Sequence, residues 1–314
     1  EEQTIKILRN KVRNITNAKI RLSNPCPTLG SGSASDIELG STVGNEDADT
    51  EQSGGMTAVT AKSDHLVQFV QLGQIQKISG VEIAWNEVIN QYGNSRVEDN
   101  INLYKTGGAD TEDQNRIRIH NNFIWGAYPL PGDSRYGVQP CYRGGGIIAG
   151  DSSRDLSIGN VSIYNNQVVG TTNYGVSIVC GRNNLAYGNR VVSSGKTPSG
   201  EIIKQANVGL VGNSALTWNG RCNAGNYSNN IFENNIVGWM GYNAKNNSLT
   251  RRDQTFKCDK KIGSTTYRNL CATNTNTQSL TADPNATITY ASEENEFNLW
   301  QQKLRNNNIA VGVR

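Results

Sequence analysis

The clearest pattern along the chain is a short unit in which apolar residues alternate with polar ones, an asparagine follows, and an apolar pair closes the unit. Its copies are IKILRNKV from Ile5, VEIAWNEVI from Val81, IRIHNNFIW from Ile117, VSIYNNQVV from Val161, NLAYGNRVV from Asn184 and NIFENNIVGW from Asn230. Each carries asparagine at its sixth position: Asn10, Asn86, Asn122, Asn166, Asn189 and Asn235. Alternation with a period of two marks half-buried strands, and few segments carry helical spacing beyond two turns. The chain is expected to be all-β.

Successive sixth-position asparagines are 76, 36, 44, 23 and 46 residues apart. The last three separations fit one or two units of ~22–23 residues, while the first two require loop insertions. A unit that short suits one coil of a parallel β-solenoid, whose strands stack about 4.8 Å apart and whose inward side chains form a continuous core. Asparagine at the bend is expected both to take the left-handed conformation and to hydrogen-bond the asparagine of the next coil. A generic Asn-rich sandwich is the competing architecture.

The pattern resembles the right-handed parallel β-helix repeat of the pectate-lyase-like superfamily, which includes polysaccharide lyases, epimerases, hydrolases, phage tailspikes and bacterial surface proteins. More narrowly, VEDNINLYKTGG at 97–108, GGGIIAGD at 144–151 and NYGVSIVCGRNN at 173–184 are similar to a group of secreted β-helix proteins of unassigned activity, over residues 75–240. The expected architecture is a right-handed parallel β-helix with loop insertions over residues 1–291, then a short C-terminal capping segment, 292–314.

Residues 1–24 read as a first coil, and Glu1, with no leader behind it, reads as the start of a processed piece. Residues 25–64 are small, polar and acidic, a long loop. GSGSAS there has no helix pattern after it and is not a phosphate cradle, and Glu46, Asp47, Asp49 and Glu51 lack calcium-loop spacing. A Ca2+ cofactor is left open, with no ligand motif for it or for any other metal. The repeat fades over 241–290. SEENEFNLWQQKLR, 292–305, then spaces Phe297, Trp300 and Leu304 at i, i+3 and i+7 after Ser292, which predicts a capped helix over the end of the solenoid, with a last strand as the alternative.

The 314 residues carry a net charge of +3 and 41 asparagines. No apolar run approaches the ~20 residues of a membrane span, and no Lys/Arg block interleaved with aromatics marks a nucleic-acid footprint. Six cysteines without a C-x-x-C pair point to disulfides in an oxidising compartment, hence a secreted or cell-surface protein, with Cys258–Cys271 the one pairing singled out. Sequons at Asn14, Asn160, Asn226, Asn246 and Asn285 permit glycosylation.

Candidate chemistry gathers on and beside the insertions at 106–115 and 128–143. Lyase chemistry on a uronate polymer needs a base, a cationic clamp for the carboxylate and an acid for the leaving oxygen. Lys105 as base, Arg118 or Arg143 as clamp and Tyr142 or Tyr104 as acid meet those needs. Asp99, Asn102, Tyr104, His120, Trp125, Tyr136 and Asp151 are the expected substrate contacts. Each has a plainer reading too: Lys105 as a solvated outward residue, His120 as a loop anchor, Asp151 as a turn former, and a Trp as core. The family's paired Lys and Arg arrangement is interrupted here, since Val179, Cys180 and Gly181 stand where the Arg is usual, and no Asp pairs on neighbouring coils are found in the repeats. The partner is expected to be a polysaccharide, cut by a lyase or epimerase. The alternative is a non-catalytic adhesin or a filament subunit associating end to end through its first coil.

Overall fold

In the computed structural model, the described residues are 4–15, 68–95, 97–128, 144–151, 158–204, 206–213, 222, 226–262 and 264–312. Three large sheets organise them. The first runs in the order Lys6–Leu8, Glu82–Ala84, Ile117–His120, Val161–Tyr164, Leu185–Tyr187, Ile231–Glu233 and Thr273–Thr275. The second runs Lys11–Arg13, Glu87–Ile89, Phe123–Ala127, Gln167–Thr171, Arg190–Ser193 and Ile236–Asn243, with Gln278–Ser279 pairing the last of these. The third runs Val70–Gly73, Asp99–Tyr104, Gly145–Asp151, Tyr174–Ile178, Val208–Gly212 and Gln254–Thr255. Neighbours in this list pair in parallel, and only the hairpin strand Ser248–Arg251 joins the second sheet antiparallel. Each turn of chain visits the three sheets in succession, an arrangement compatible with a β-helix solenoid.

Register explains why alternation makes this fold. Ile7, Ile83, Ile119, Ile163, Ala186 and Phe232 stand directly above one another in the first sheet. Val12, Val88, Ile124, Val168, Val191 and Val237 do so in the second, and Val70, Ile101, Ile147, Val176 and Leu210 in the third. Parallel pairing puts like residues in rows, and from the second coil on these rows are fully buried. Each such aliphatic side chain contributes ~1.5–3 kcal/mol relative to exposure.

Coil length corrects one expectation. The steps of 44 and 46 residues are single coils, since Ile119 pairs directly with Ile163 and Ala186 with Phe232. The register on either side is undisturbed by the extra residues, as the direct pairing of Gln167 with Phe123 and of Ile236 with Arg190 shows. Long surface excursions cost little extra closure entropy, so coils of unequal length can stack in register.

The bend between first and second sheets is held by the repeated asparagines, but the two roles expected of one residue fall on two. The left-handed residue is the fifth of the unit: Arg9, Trp85, Asn121, Asn165, Gly188 and Asn234, with φ between 51° and 63°. The sixth residue forms the ladder. Nδ2 of Asn10, Asn86, Asn122, Asn166 and Asn189 donates to Oδ1 of the next asparagine at 2.9, 2.8, 2.9, 3.0 and 3.0 Å. The same Oδ1 accepts the backbone N–H of the preceding asparagine, and the second Nδ2 hydrogen goes back to a carbonyl of the preceding coil, as from Asn122 to Ile83. The interior amides are thereby saturated, which is what lets Asn86, Asn122, Asn166, Asn189 and Asn235 sit at 0% exposure.

The C-terminal helix, α1 (Tyr290–Asn306), starts slightly before the expected 292. Thr289 is its N-cap and Ser292 the third helical residue, whose Oγ accepts the Thr289 N–H at 3.4 Å. Lys303 and Arg305 in its last turn suit the negative end of the helix dipole. It lies along the outer face of the second sheet instead of over the end of the stack. Phe297, Trp300 and Leu304 pack on Phe123, Trp125 and Val169, three outward residues of that sheet. An outward face this apolar needs a cover, and the amphipathic helix provides it.

Disulfides join Cys258 to Cys271, as anticipated, and Cys180 to Cys222. Cys26 and Cys141 lie outside the described residues. No helix among the described residues is long and apolar enough to cross a membrane.

Candidate functional site

The structure divides the sequence-selected residues between two faces. Arg118 and His120 point outward from the first sheet, while Asp99, Asn102, Tyr104, Lys105 and Asp151 belong to or follow strands of the third. They do not share one face, because residues of neighbouring coils meet only within one sheet. Arg143, Tyr142 and Tyr136 lie outside the described residues.

On the first sheet, Glu82 is the hub. It pairs with Lys6 at 2.7 Å and Arg118 at 3.6 Å, and receives His120 Nε2 at 3.0 Å. The hydrogen bond from Lys6 leads the causes that hold its carboxyl below the usual range. Asn121 Nδ2 donates to His120 Nδ1 at 2.9 Å, so the ring proton sits on Nε2 and points at Glu82. Burial depresses the His120 pKa, which keeps the ring neutral. His120 stacks on Tyr164 (4.6 Å between centroids, 10°), and Tyr164 on Tyr187 (5.0 Å, 2°). These rings are the fourth residues of three successive units, a signal visible in IRIH, VSIY and NLAY but not used. Burial, then the neighbouring Tyr187, pushes the Tyr164 hydroxyl up to about 12. This face is a cross-coil stack with compensated charges, and its ring faces cover one another.

The third sheet gathers more chemistry. Asn102 Nδ2 donates to Asp99 Oδ2 and to Asp151 Oδ2, each at 3.0 Å. The two carboxylates come from strands one coil apart, so the Asp pair that seemed absent from the repeats exists between Asp99–Tyr104 and Gly145–Asp151. Two bonds of 3.0 Å to one nitrogen keep the oxygens within about 6 Å, the scale on which paired carboxylates act on one glycosidic bond. The Tyr174 hydroxyl donates to Asp99 Oδ1 from the next coil. Its pKa is raised well above the ordinary value by burial and then by Asp99. Tyr174 was missed because it lies on the strand of a later coil, 75 residues from Asp99, and only strand register brings the two together.

The triple glycine before Ile147 has its reason here. A Cβ on Gly145 would lie 2.3 Å from Asp99 Oδ1 and 2.5 Å from the Tyr174 ring. Any larger residue would push the carboxylate and the phenol apart. At the other end of the strand, the Lys105 backbone N–H donates to the Asp151 carbonyl at 2.9 Å, and its ammonium lies 4.7 Å over the Tyr104 ring. Asp99 and Asn102 are nearly buried, whereas Tyr104, Lys105 and Asp151 are partly exposed. Asn102 Oδ1 is buried and accepts no hydrogen bond. Among the described residues, no group of three His, Cys, Asp or Glu side chains is placed to hold a metal ion.

No protein-family model, curated protein or solved structure matches this chain. Function has to be read from the side chains themselves.

Aromatic rings, which could in principle stack on sugars, are mostly used in packing. Trp239 is fully buried. Tyr128 is 4% exposed and meets Tyr92 edge to face at 5.9 Å. Trp125 lies beneath α1, 6.1 Å from the Tyr290 ring and 6.3 Å from Phe297. Trp218 is outside the described residues.

Proposed function

We propose that this chain is a secreted right-handed β-helix that acts on a polysaccharide at the third-sheet cluster, where Asp99 and Asp151 serve as the acid–base pair. The observation that carries the reading is the shared Asn102 amide, which fixes two carboxylates from neighbouring coils at glycosidic spacing. Tyr174 orients Asp99 by donating to it, and Asn102 orients both carboxylates. Tyr104 and Lys105, partly exposed at the strand's end, supply a ring and a cation for sugar contact. Two disulfides support an extracellular setting.

Hydrolysis is the first reading because Arg118, one of the two expected carboxylate clamps, belongs to the first sheet and is engaged by Glu82 and Asp113, while the other, Arg143, lies outside the described residues. A lyase reading retains one specific support, the position of Lys105 beside Asp151. The two part on product chemistry. Incubation with a panel of neutral and uronate polysaccharides should release reducing ends without the ultraviolet absorbance of an unsaturated sugar, and both Asp99→Asn and Asp151→Asn should abolish release. Absorbance rising with reducing ends would replace hydrolysis by elimination. Retention on insoluble polymer with no product would leave a non-catalytic adhesin.

A further inference from the structure

A groove of about 540 Å³ runs between α1 and the bend that joins the first and second sheets. Its walls include Trp85, Asn121, Asn165, Gln167, Lys303 and Asn307. Three features there bear on what the groove could hold. Trp85, which packs on Trp300 at 6.3 Å between ring centroids, occupies the left-handed position of its coil with φ 58°, where four other coils place asparagine or glycine and the first places Arg9. A bulky residue is disfavoured in that conformation, and such outliers cluster at binding sites.

Lys303 is the second feature. Its half-buried ammonium donates to the Asn165 carbonyl at 2.6 Å and lies 5.6 Å from the Trp85 ring centroid, yet no carboxylate of the described residues pairs with it. Loss of solvation draws its pKa down to about 8, the sign of a charge lacking a counter-ion. The nearby Arg190 has its own, Glu296, at 2.6 Å. Gln167 is the third. It is 3% exposed, its Nε2 is committed to Glu296, and its Oε1 accepts nothing. A cation without an anion and an acceptor without a donor stand together beside an indole and a row of amides.

We propose that this groove binds an acidic sugar unit, with the carboxylate on Lys303, a ring hydroxyl donating to Gln167 and the sugar ring against Trp85. One ligand meets all three demands only if it carries an anion, a hydroxyl and a compact ring. The site lies on a different face from Asp99 and Asp151 and does not depend on their role. It gives the chain a hold on an acidic polymer separate from any cleavage.

The test is calorimetric titration of the whole chain with trigalacturonate and with neutral maltotriose. Wild type should bind trigalacturonate saturably and at least ~10-fold more tightly than maltotriose. Lys303→Gln should weaken trigalacturonate by at least ~10-fold, and Lys303→Arg should recover much of the loss. Trp85→Asn adopts the residue that three other coils use at this bend but gives up the contact with Trp300, so it should fold, with a lowered thermal melt, and bind poorly. Lys245→Gln, which removes a cation from the exposed hairpin turn before Ser248, should bind as wild type does. Absence of saturation up to about 10 mM, wild-type binding by both groove variants, or an equal loss of binding in Lys245→Gln would each overturn the assignment.

Discussion

The first and second sheets are built from the same coils and joined at the same asparagine bend, yet their outer faces have opposite fates. On the first, outward residues stay partly exposed and satisfy one another across coils, through Lys6, Glu82 and Arg118 in one row and His120, Tyr164 and Tyr187 in the next. On the second, outward Phe123, Trp125 and Val169 are covered by α1. Charged residues beneath the helix are tied to it: Glu87 accepts Trp300 Nε1 at 2.8 Å, and Arg190 grips Glu296. Identical backbone geometry therefore sets no outward chemistry. A row of like side chains either stacks on itself or needs a lid, and the residue types decide which.

The largest expected difference between the two faces comes from removing a ring on each. Trp300→Ala opens the covered face and takes one of the donors from Glu87 Oε2, and should cost ~3–5 kcal/mol in denaturant unfolding. Tyr164→Ala, at the centre of the exposed stack, should cost only ~1 kcal/mol beyond its small burial. Equal losses would mean that the helix contributes little to the stack.

The bend shared by both sheets offers the next test. Asn166→Ala leaves the side-chain amide and the backbone N–H of Asn122 without their acceptor and takes one of two donors from Asn189 Oδ1, with an expected loss of ~2–3 kcal/mol. A loss under half a kilocalorie would show that water replaces the missing rung.

Acidity separates the faces more finely. Glu293, fully buried on the inner face of the first turn of α1, is pushed up to about 7 by desolvation. The folded protein then keeps a proton that the unfolded chain has lost. The contribution to stability is complete below pH 4.5, falls as pH rises, and is gone above about 7. Glu293→Gln should flatten that slope and raise stability at pH 7 by on the order of 2 kcal/mol in pH-dependent melts. Glu87, under the same helix, has the opposite sign: burial raises its pKa, but Arg13, Trp300 and Lys11 outweigh it. Lastly, Lys6→Ala on the exposed first sheet should change stability by less than ~1 kcal/mol, since its ion pair is half in water.

Much of this was legible in the chain. The sixth-position asparagines gave the ladder, and the spacing of Phe297, Trp300 and Leu304 gave the helix. The helix's place was not legible, because amphipathicity names a buried face without naming what buries it; the apolar outward positions Phe123 and Val169 were the missing clue. Coil length misled because a 46-residue step and two 23-residue steps look alike until register is known. The candidate site was half legible. Asp99, Asn102 and Asp151 were selected for their chemistry, but nothing in their spacing set them on a different sheet from Arg118 and His120.

The asparagine column has one further property. Along the rungs, every interior side-chain amide in it donates to the asparagine of the later coil and accepts from that of the earlier one. The rungs are thus aligned dipoles, each polarising the next, and the two ends of the column are chemically unlike. Asn10 ends the described column with its Oδ1 outside the chain of rung-to-rung bonds, and Asn235 ends it with an Nδ2 hydrogen outside them. A stack of nearly identical turns is therefore given a direction by amide orientation alone, and reversing any one amide would set donor against donor on one side and acceptor against acceptor on the other.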